Sequence, residues 1–139
     1  MKKQFLKFGA FAVFTLSSTM AFAANCTSTI SNNAVGNLTV PSGATCTLNS
    51  TAVSGSISVQ KGASLVLNNS SVVGNVQAST AKSLKLTNSM IEGDVQAGQV
   101  SSLISLDKAM ISGNFYCSSL TRLQSSNSMI EGKTIGKCR

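Results

Sequence analysis

The sequence contains no histidine and no tryptophan, and it has one proline and one tyrosine among its 139 residues. Catalysis or metal binding that needs an imidazole is therefore excluded. The acidic residues are Glu92, Asp94, Asp107 and Glu131 alone. This is a small supply for acid–base catalysis or for hard metal ions, so we expect a protein that is not an enzyme and that carries no cofactor.

Aromatic residues are also scarce beyond the leading segment, because five of the six phenylalanines lie between Phe5 and Phe22. That segment has a basic start, Lys2 and Lys3, then an apolar run from Phe8 to Phe22, and ends in Ala21-Phe22-Ala23, a small-x-small site that a signal peptidase accepts. The run is shorter than the roughly 20 apolar residues of a bilayer span. We predict a signal peptide over residues 1–23, a mature domain over residues 24–139 with no membrane span, and a periplasmic or secreted location.

Glycine recurs at a nearly constant interval. The successive spacings are 19, 19, 19, 20 and 19 along the series Gly36, Gly55, Gly74, Gly93, Gly113 and Gly132. Apolar residues keep the same register two positions before and two positions after each glycine: Ala34, Val53, Val72, Ile91, Ile111 and Ile130 before, and Leu38, Ile57, Val76, Val95 and Phe115 after, with Thr134 closing the second row. Such self-similarity indicates a repeat architecture.

Two further apolar rows lie seven and nine positions before the glycines: Leu48, Leu67, Leu86 and Leu106, and Leu65, Leu84, Ile104 and Leu123. The row between them is mixed and mostly polar, so apolar and polar positions alternate with the period of a half-buried strand. Asn and Ser residues such as Asn88-Ser89 separate the apolar pairs and suit tight corners, since Asn and Gly tolerate positive φ. The clearest unit, Leu84 to Ala97, predicts three short strands per turn.

We therefore predict an all-β fold, a single-stranded right-handed parallel β-helix of about six coils with 19–20 residues per coil. At a strand spacing of about 4.8 Å, six coils form a rod roughly 29 Å long. Leucine-rich repeats fit less well because the Asn comes one position early, and the left-handed hexapeptide helix and the calcium-binding nonapeptide repeat have other spacings. The pattern from Thr29 to Lys137 resembles bactofilins at the level of the fold, which implies compact triangular coils. Bactofilins lack a signal peptide and a cysteine framework, so their cytoskeletal function does not follow.

Four cysteines in an exported chain predict two disulfides. Cys26 and Cys46 are 20 residues apart, and Cys117 and Cys138 are 21 residues apart, so each pair is separated by about one coil. Stacking then brings each pair within the Cα separation that a disulfide needs. The pairings Cys26–Cys46 and Cys117–Cys138 would clamp the two ends of the solenoid, whose terminal coils have an uncovered face.

Two sets of side chains are candidates for surface binding. Met90, Met110 and Met129 form a row three positions before the glycines, either as an adaptable apolar stripe on the exterior or, in the interpretation we favour, tucked at a corner beside the isoleucines. Glu92, Asp94 and Glu131 flank the glycines. Glu92 and Glu131 lie two coils apart, about 9.6 Å, close to the carboxylate separation of roughly 6.5–9.5 Å in inverting glycosidases.

Some polysaccharide lyases fold as right-handed β-helices, so a small polysaccharide-active enzyme is a second alternative. This sequence, however, has no aromatic platform for a sugar ring and no long loops to wall a cleft. The basic residues fall in different rows and lack stacking aromatics, so nucleic acid is not an expected partner.

The leading hypothesis is an exported, non-catalytic structural or binding module of the bacterial periplasm or cell surface. Its partner is unknown, with envelope polysaccharide and self-association as candidates. The first alternative is a self-assembling surface fibre subunit, because exposed parallel strand edges template further addition.

Overall fold

The computed structural model describes residues 24–118 and 121–138. The predicted signal peptide lies outside the described residues. Nineteen short strands follow one another along the described chain. They are β1 (Ala24–Asn25), β2 (Thr29–Ser31), β3 (Ala34–Val35), β4 (Leu38–Val40), β5 (Thr45–Asn49), β6 (Ala52–Val53), β7 (Ile57–Val59), β8 (Ser64–Asn68), β9 (Ser71–Val72), β10 (Val76–Gln77), β11 (Ser83–Thr87), β12 (Met90–Ile91), β13 (Val95–Gln96), β14 (Leu103–Asp107), β15 (Met110–Ile111), β16 (Phe115–Tyr116), β17 (Arg122–Ser126), β18 (Met129–Ile130) and β19 (Thr134–Ile135).

Every third strand stacks in the same sheet. Sheet A contains seven strands in the order β1-β4-β7-β10-β13-β16-β19, sheet B contains six from β2 to β17, and sheet C contains six from β3 to β18. All pairings between neighbouring coils are parallel. The chain is a right-handed parallel β-solenoid of about six coils, as the repeat predicts. Within the described ranges, no helix has the length and apolarity needed to cross a bilayer.

The strand register places the predicted rows on top of one another. Leu65, Leu84 and Ile104 are paired partners in sheet B, and so are Leu67, Leu86 and Leu106. Lys85 lies between two inward positions and is exposed. The inward rows of all three sheets are buried in the inner coils and partly buried or exposed in the terminal ones. Each fully buried aliphatic side chain contributes roughly 1.5–3 kcal/mol, and together they form one continuous apolar core along the axis of the solenoid.

One position of the predicted register is wrong. Val35, and not Ala34, pairs with Val53, while Ala34 pairs with Ala52 and is exposed. The reason is a deletion in the first coil. Val53 is separated from Gly55 by Ser54, whereas Val35 is followed directly by Gly36, so counting backwards from the glycine selects the outward neighbour.

The corner between sheets B and C has a left-handed backbone in every coil. The residue at this position has φ between 49° and 55° in all six coils: Asn32, Ser50, Asn69, Asn88, Lys108 and Asn127. In the four inner coils the residue that follows is buried and small: Thr51, Ser70, Ser89 and Ala109. Where this residue has a hydroxyl, the hydroxyl links coils, since Ser70 Oγ donates to the Leu48 carbonyl (3.0 Å) and accepts the Thr51 N–H (3.1 Å).

Both predicted disulfides are present. Cys26 is bonded to Cys46 and Cys117 to Cys138, each with a Cα–Cα distance of 5.4 Å. The first bond ties the first coil to the second, and the other ties the last two coils together. Intramolecular disulfides of this kind persist in oxidising compartments, which indicates an extracellular or periplasmic environment.

Candidate functional site

The three methionines of the predicted row lie on the outward side of sheet C. Met90 pairs with Met110, and Met110 pairs with Met129. The neighbouring isoleucine in each strand points inward, and Ile91 and Ile111 are fully buried. Met90 is 41% exposed and Met129 is 57% exposed, while Met110 is partly exposed. The expectation that these side chains tuck in beside the isoleucines is therefore wrong for Met90 and Met129.

A second outward column runs beside the methionines. Glu92, Ser112 and Glu131 each follow a methionine by two residues, and their N–H groups continue the hydrogen bonding of sheet C. In an extended strand, residues two apart face the same side. Glu92 and Glu131 are exposed, and the Ser112 hydroxyl donates to Glu131 Oε1 at 3.4 Å. We call the surface formed by Met90, Met110, Met129, Glu92 and Glu131 the Met–Glu patch.

Asp94 has a different environment from the two glutamates. Its Oδ1 accepts the Asn114 N–H at 2.7 Å, and its own N–H donates to Asn75 Oδ1 at 2.8 Å. The equivalent side chain of each coil accepts the N–H of the next coil along the column Asn37, Ser56, Asn75, Asp94 and Asn114. The Asp94 carboxylate is thus a hydrogen-bond acceptor that links coils, and sequence reasoning missed this column.

An open groove of about 460 Å³ lies where the left-handed corner meets sheet C. Its lining is mostly small and polar, with a hydrophobic and cationic end. The lining residues are Ser50, Thr51, Ala52, Asn69, Ser70, Ser71, Asn88, Ser89, Met90, Lys108 and Met110. Sequence reasoning did not identify the groove, although the Asn-Ser corner residues that form it were visible as a repeat.

The groove and the Met–Glu patch meet at Met90 and Met110. The outward position of sheet C is occupied by Ala52 and Ser71 in the earlier coils and by methionine in the later ones. The small residues line the groove in the earlier coils, and Met90 and Met110 line its other end. One face of the solenoid therefore carries a polar channel that leads to a thioether-rich surface.

Among the residues that the structure describes, no group of three or more His, Cys, Asp or Glu side chains is arranged to hold a metal ion. The cysteines do not contribute because all four are in disulfides. No protein-family model, curated protein or solved structure matches this chain.

Proposed function

We propose that the protein is an exported, non-catalytic β-solenoid that serves as a structural or binding module of the bacterial periplasm or cell surface. The observation that carries the proposal is the pair of disulfides that ties each terminal coil to its neighbour. A solenoid closed in this way at both ends is a rigid rod whose long faces are available for contact. Disulfide formation also favours a compartment outside the cytoplasm.

Sedimentation velocity of the mature chain, from dilute to concentrated, tests this role. A compact monomer at all concentrations supports a module that acts through its long faces. Growth of long assemblies with the disulfides intact would overturn it in favour of a fibre subunit, because a fibre requires that the terminal coils accept another copy.

The polar groove favours an extended hydroxyl-rich polymer, such as an envelope polysaccharide, as the partner. Its lining offers hydroxyl and amide groups at the repeat of the coils, including Ser50, Asn69 and Asn88, and such groups recognise sugar hydroxyls by hydrogen bonding. Co-sedimentation of the protein with purified peptidoglycan and with insoluble envelope glycans checks this partner. If an Asn69→Leu variant co-sediments with these glycans to the same extent as the wild type, glycan binding in the groove is contradicted.

The non-catalytic part of the proposal concerns Glu92 and Glu131. Both are exposed, and the residue between them is Ser112, which leaves the pair on an open surface. Proton transfer in glycosidases relies on a carboxylic acid whose pKa is raised by its surroundings. A reducing-sugar assay across envelope polysaccharides is expected to show no turnover. Turnover that is lost in Glu92→Gln or Glu131→Gln would establish the enzyme alternative.

A further inference from the structure

All methionines that follow the predicted signal peptide lie in one column of the solenoid. The chain has five methionines, of which two, Met1 and Met20, belong to that predicted peptide. The remaining three occupy the same outward position in adjacent strands β12, β15 and β18. The fold does not require methionine there, because Ala52 and Ser71 fill this position in other coils.

The exposure of this column argues for a role outside the core. Met90 and Met129 are 41% and 57% exposed, so their thioethers contribute little to the packing that stabilises the coil. Methionine also presents a soft sulfur ligand. Because the four cysteines are in disulfides and the chain has no histidine, the thioethers are the soft ligands that this protein can offer.

We propose that the Met–Glu patch binds a soft monovalent metal cation of the Cu(I) class through the thioethers of Met90, Met110 and Met129. Thioether sulfur selects Cu(I) over hard cations such as Mg²⁺ and Ca²⁺, which take oxygen ligands. This inference rests on the proposed binding role and gives it a ligand.

The spacing of the column fits one cation shared by three side chains. Parallel strands lie about 4.8 Å apart, so the sulfur of Met110 has a methionine sulfur within reach on each side. Three rotatable bonds let a methionine side chain adapt its direction. Met90 and Met129 can therefore lean towards Met110, and their exposure leaves room for that movement.

The carboxylates of the patch supply charge. Glu92 and Glu131 lie in the neighbouring outward column, on the same side of the sheet as the methionines. The mature chain is otherwise basic, with a net charge of +4 once the three lysines of the predicted signal peptide are removed. Lys108 lines the groove beside Met90 and Met110 and offsets one of the two carboxylates. The remaining negative charge attracts a cation, and the thioethers set the preference for a soft one.

The test is isothermal titration calorimetry of residues 24–139, with both disulfides formed, in a halide-free nitrate buffer. The titrant is Ag(I), a redox-inert probe of Cu(I) sites. We expect one Ag(I) per chain and no heat from Mg²⁺ or Ca²⁺ at the same concentration. Loss of a single outer-sphere partner typically lowers metal affinity by about 10–100-fold. The triple variant Met90→Leu, Met110→Leu and Met129→Leu, which removes all three proposed ligands, should therefore bind Ag(I) at least about 100-fold more weakly than the wild type. Leucine keeps the volume and the apolar character of the column.

Further variants distinguish the contribution of the thioethers to Ag(I) binding from that of the two carboxylates. Single Met→Leu variants should each weaken binding, with Met110→Leu the most damaging, and they give the result if the triple variant does not fold as judged by circular dichroism. The double variant Glu92→Gln and Glu131→Gln should weaken binding less than the triple variant does. Unchanged Ag(I) affinity in the leucine variants would overturn the proposal, and so would binding that depends on the glutamates alone. A monomeric rod that takes up no Ag(I) would remove this inference and leave the proposed module standing.

Discussion

Lys108 occupies a corner position that its side chain does not suit. Its φ is 55°, and left-handed backbone costs an L-residue roughly 1–2 kcal/mol, with Asn and Gly the common exceptions. Four of the six coils have Asn at this position. In one of them Asn88 donates its side-chain N–H to Asn69 Oδ1 at 2.6 Å, which joins the amides of two adjacent coils.

Replacing Lys108 by Asn should therefore stabilise the protein. We expect the free energy of unfolding to rise by about 0.5–1 kcal/mol, because the left-handed backbone becomes less costly and a new amide lies above Asn88. Urea denaturation of the oxidised protein provides the measurement. Lys108→Ala is the control, since it removes the same charge without favouring positive φ. Equal stabilisation by both variants would show that the effect is electrostatic.

Five of the six repeating glycines, from Gly55 to Gly132, are needed for close approach and not for their backbone angles. None of the six has positive φ, which occurs among glycines at Gly43, Gly62 and Gly136. A Cβ at Gly93 would lie 2.2 Å from Asn75 Oδ1 and 2.5 Å from the Gly74 carbonyl oxygen in the adjacent coil. The regular interval of these glycines was readable from the sequence, but the reason for it depends on the neighbouring coil.

Gly93→Ala and Gly98→Ala form a matched pair. The first should cost about 1–3 kcal/mol, the range for forced overpacking, because the obstacle is backbone that cannot move alone. The second should be neutral or stabilising by up to about 1 kcal/mol, since a Cβ there meets nothing within 4 Å and φ is not positive. Thermal unfolding by circular dichroism compares the two. A Gly98→Ala penalty as large as that of Gly93→Ala would mean that the loss arises from general glycine replacement.

In four of the six coils, the B–C corner carries a hydroxyl that hydrogen-bonds to an adjacent coil and that the sequence pattern did not reveal: Thr51, Ser70, Ser89 and Ser128. The Ser70 hydroxyl shares its single proton between the Leu48 and Asn68 carbonyls and accepts the Thr51 N–H. The alternation of apolar and polar residues was enough to predict the strands, because that alternation depends only on which side chains are buried. Ser70 is 5% exposed although it is polar, and only the partners in the adjacent coil explain why it is inside.

Ser70→Ala should destabilise the protein by about 1–3 kcal/mol, because it leaves the buried Thr51 N–H without its acceptor. Ala109 occupies the same row and interrupts the column between Ser89 and Ser128. Ala109→Ser is thus the natural counterpart, and we expect it to be neutral or stabilising. Guanidinium titrations of both variants test the column. A stabilised Ser70→Ala would contradict the role of the hydroxyl.

At the scale of the whole molecule, charge is distributed very unevenly along the rod. Residues 24–60 contain no charged side chain, and all twelve charged side chains of residues 24–139 lie between Lys61 and Arg139. The inward rows also differ at the two ends. In the last coil, Ser125 and Thr134 occupy the positions held by Leu106 and Phe115 in the coil before. The C-terminal end is therefore polar and rich in charged side chains, while the N-terminal coils have none.

This asymmetry predicts different consequences for the two disulfides. Opening either one, by the double variants Cys26→Ser with Cys46→Ser or Cys117→Ser with Cys138→Ser, should cost about 3 kcal/mol on the chain-entropy model for loops of this size. Only loss of the Cys26–Cys46 bond should cause association, because loosening β1–β3 exposes strand edges that have no charged side chains to protect them. At the other end Arg122 and Lys133 lie on or beside the last strands, and charged side chains protect edges from pairing.

The two double variants are compared by sedimentation velocity under conditions in which the same fraction of each protein is unfolded. Any difference in association then reflects the exposed strand edges and not the loss of stability. The N-terminal double variant should form larger species as concentration rises, and the C-terminal one should remain monomeric at low salt. High salt screens exposed charges, so it should allow the C-terminal variant to associate as well. If that variant associates as readily at low salt, the charges do not protect the end. The disulfide itself would then be the device that keeps this rod from growing.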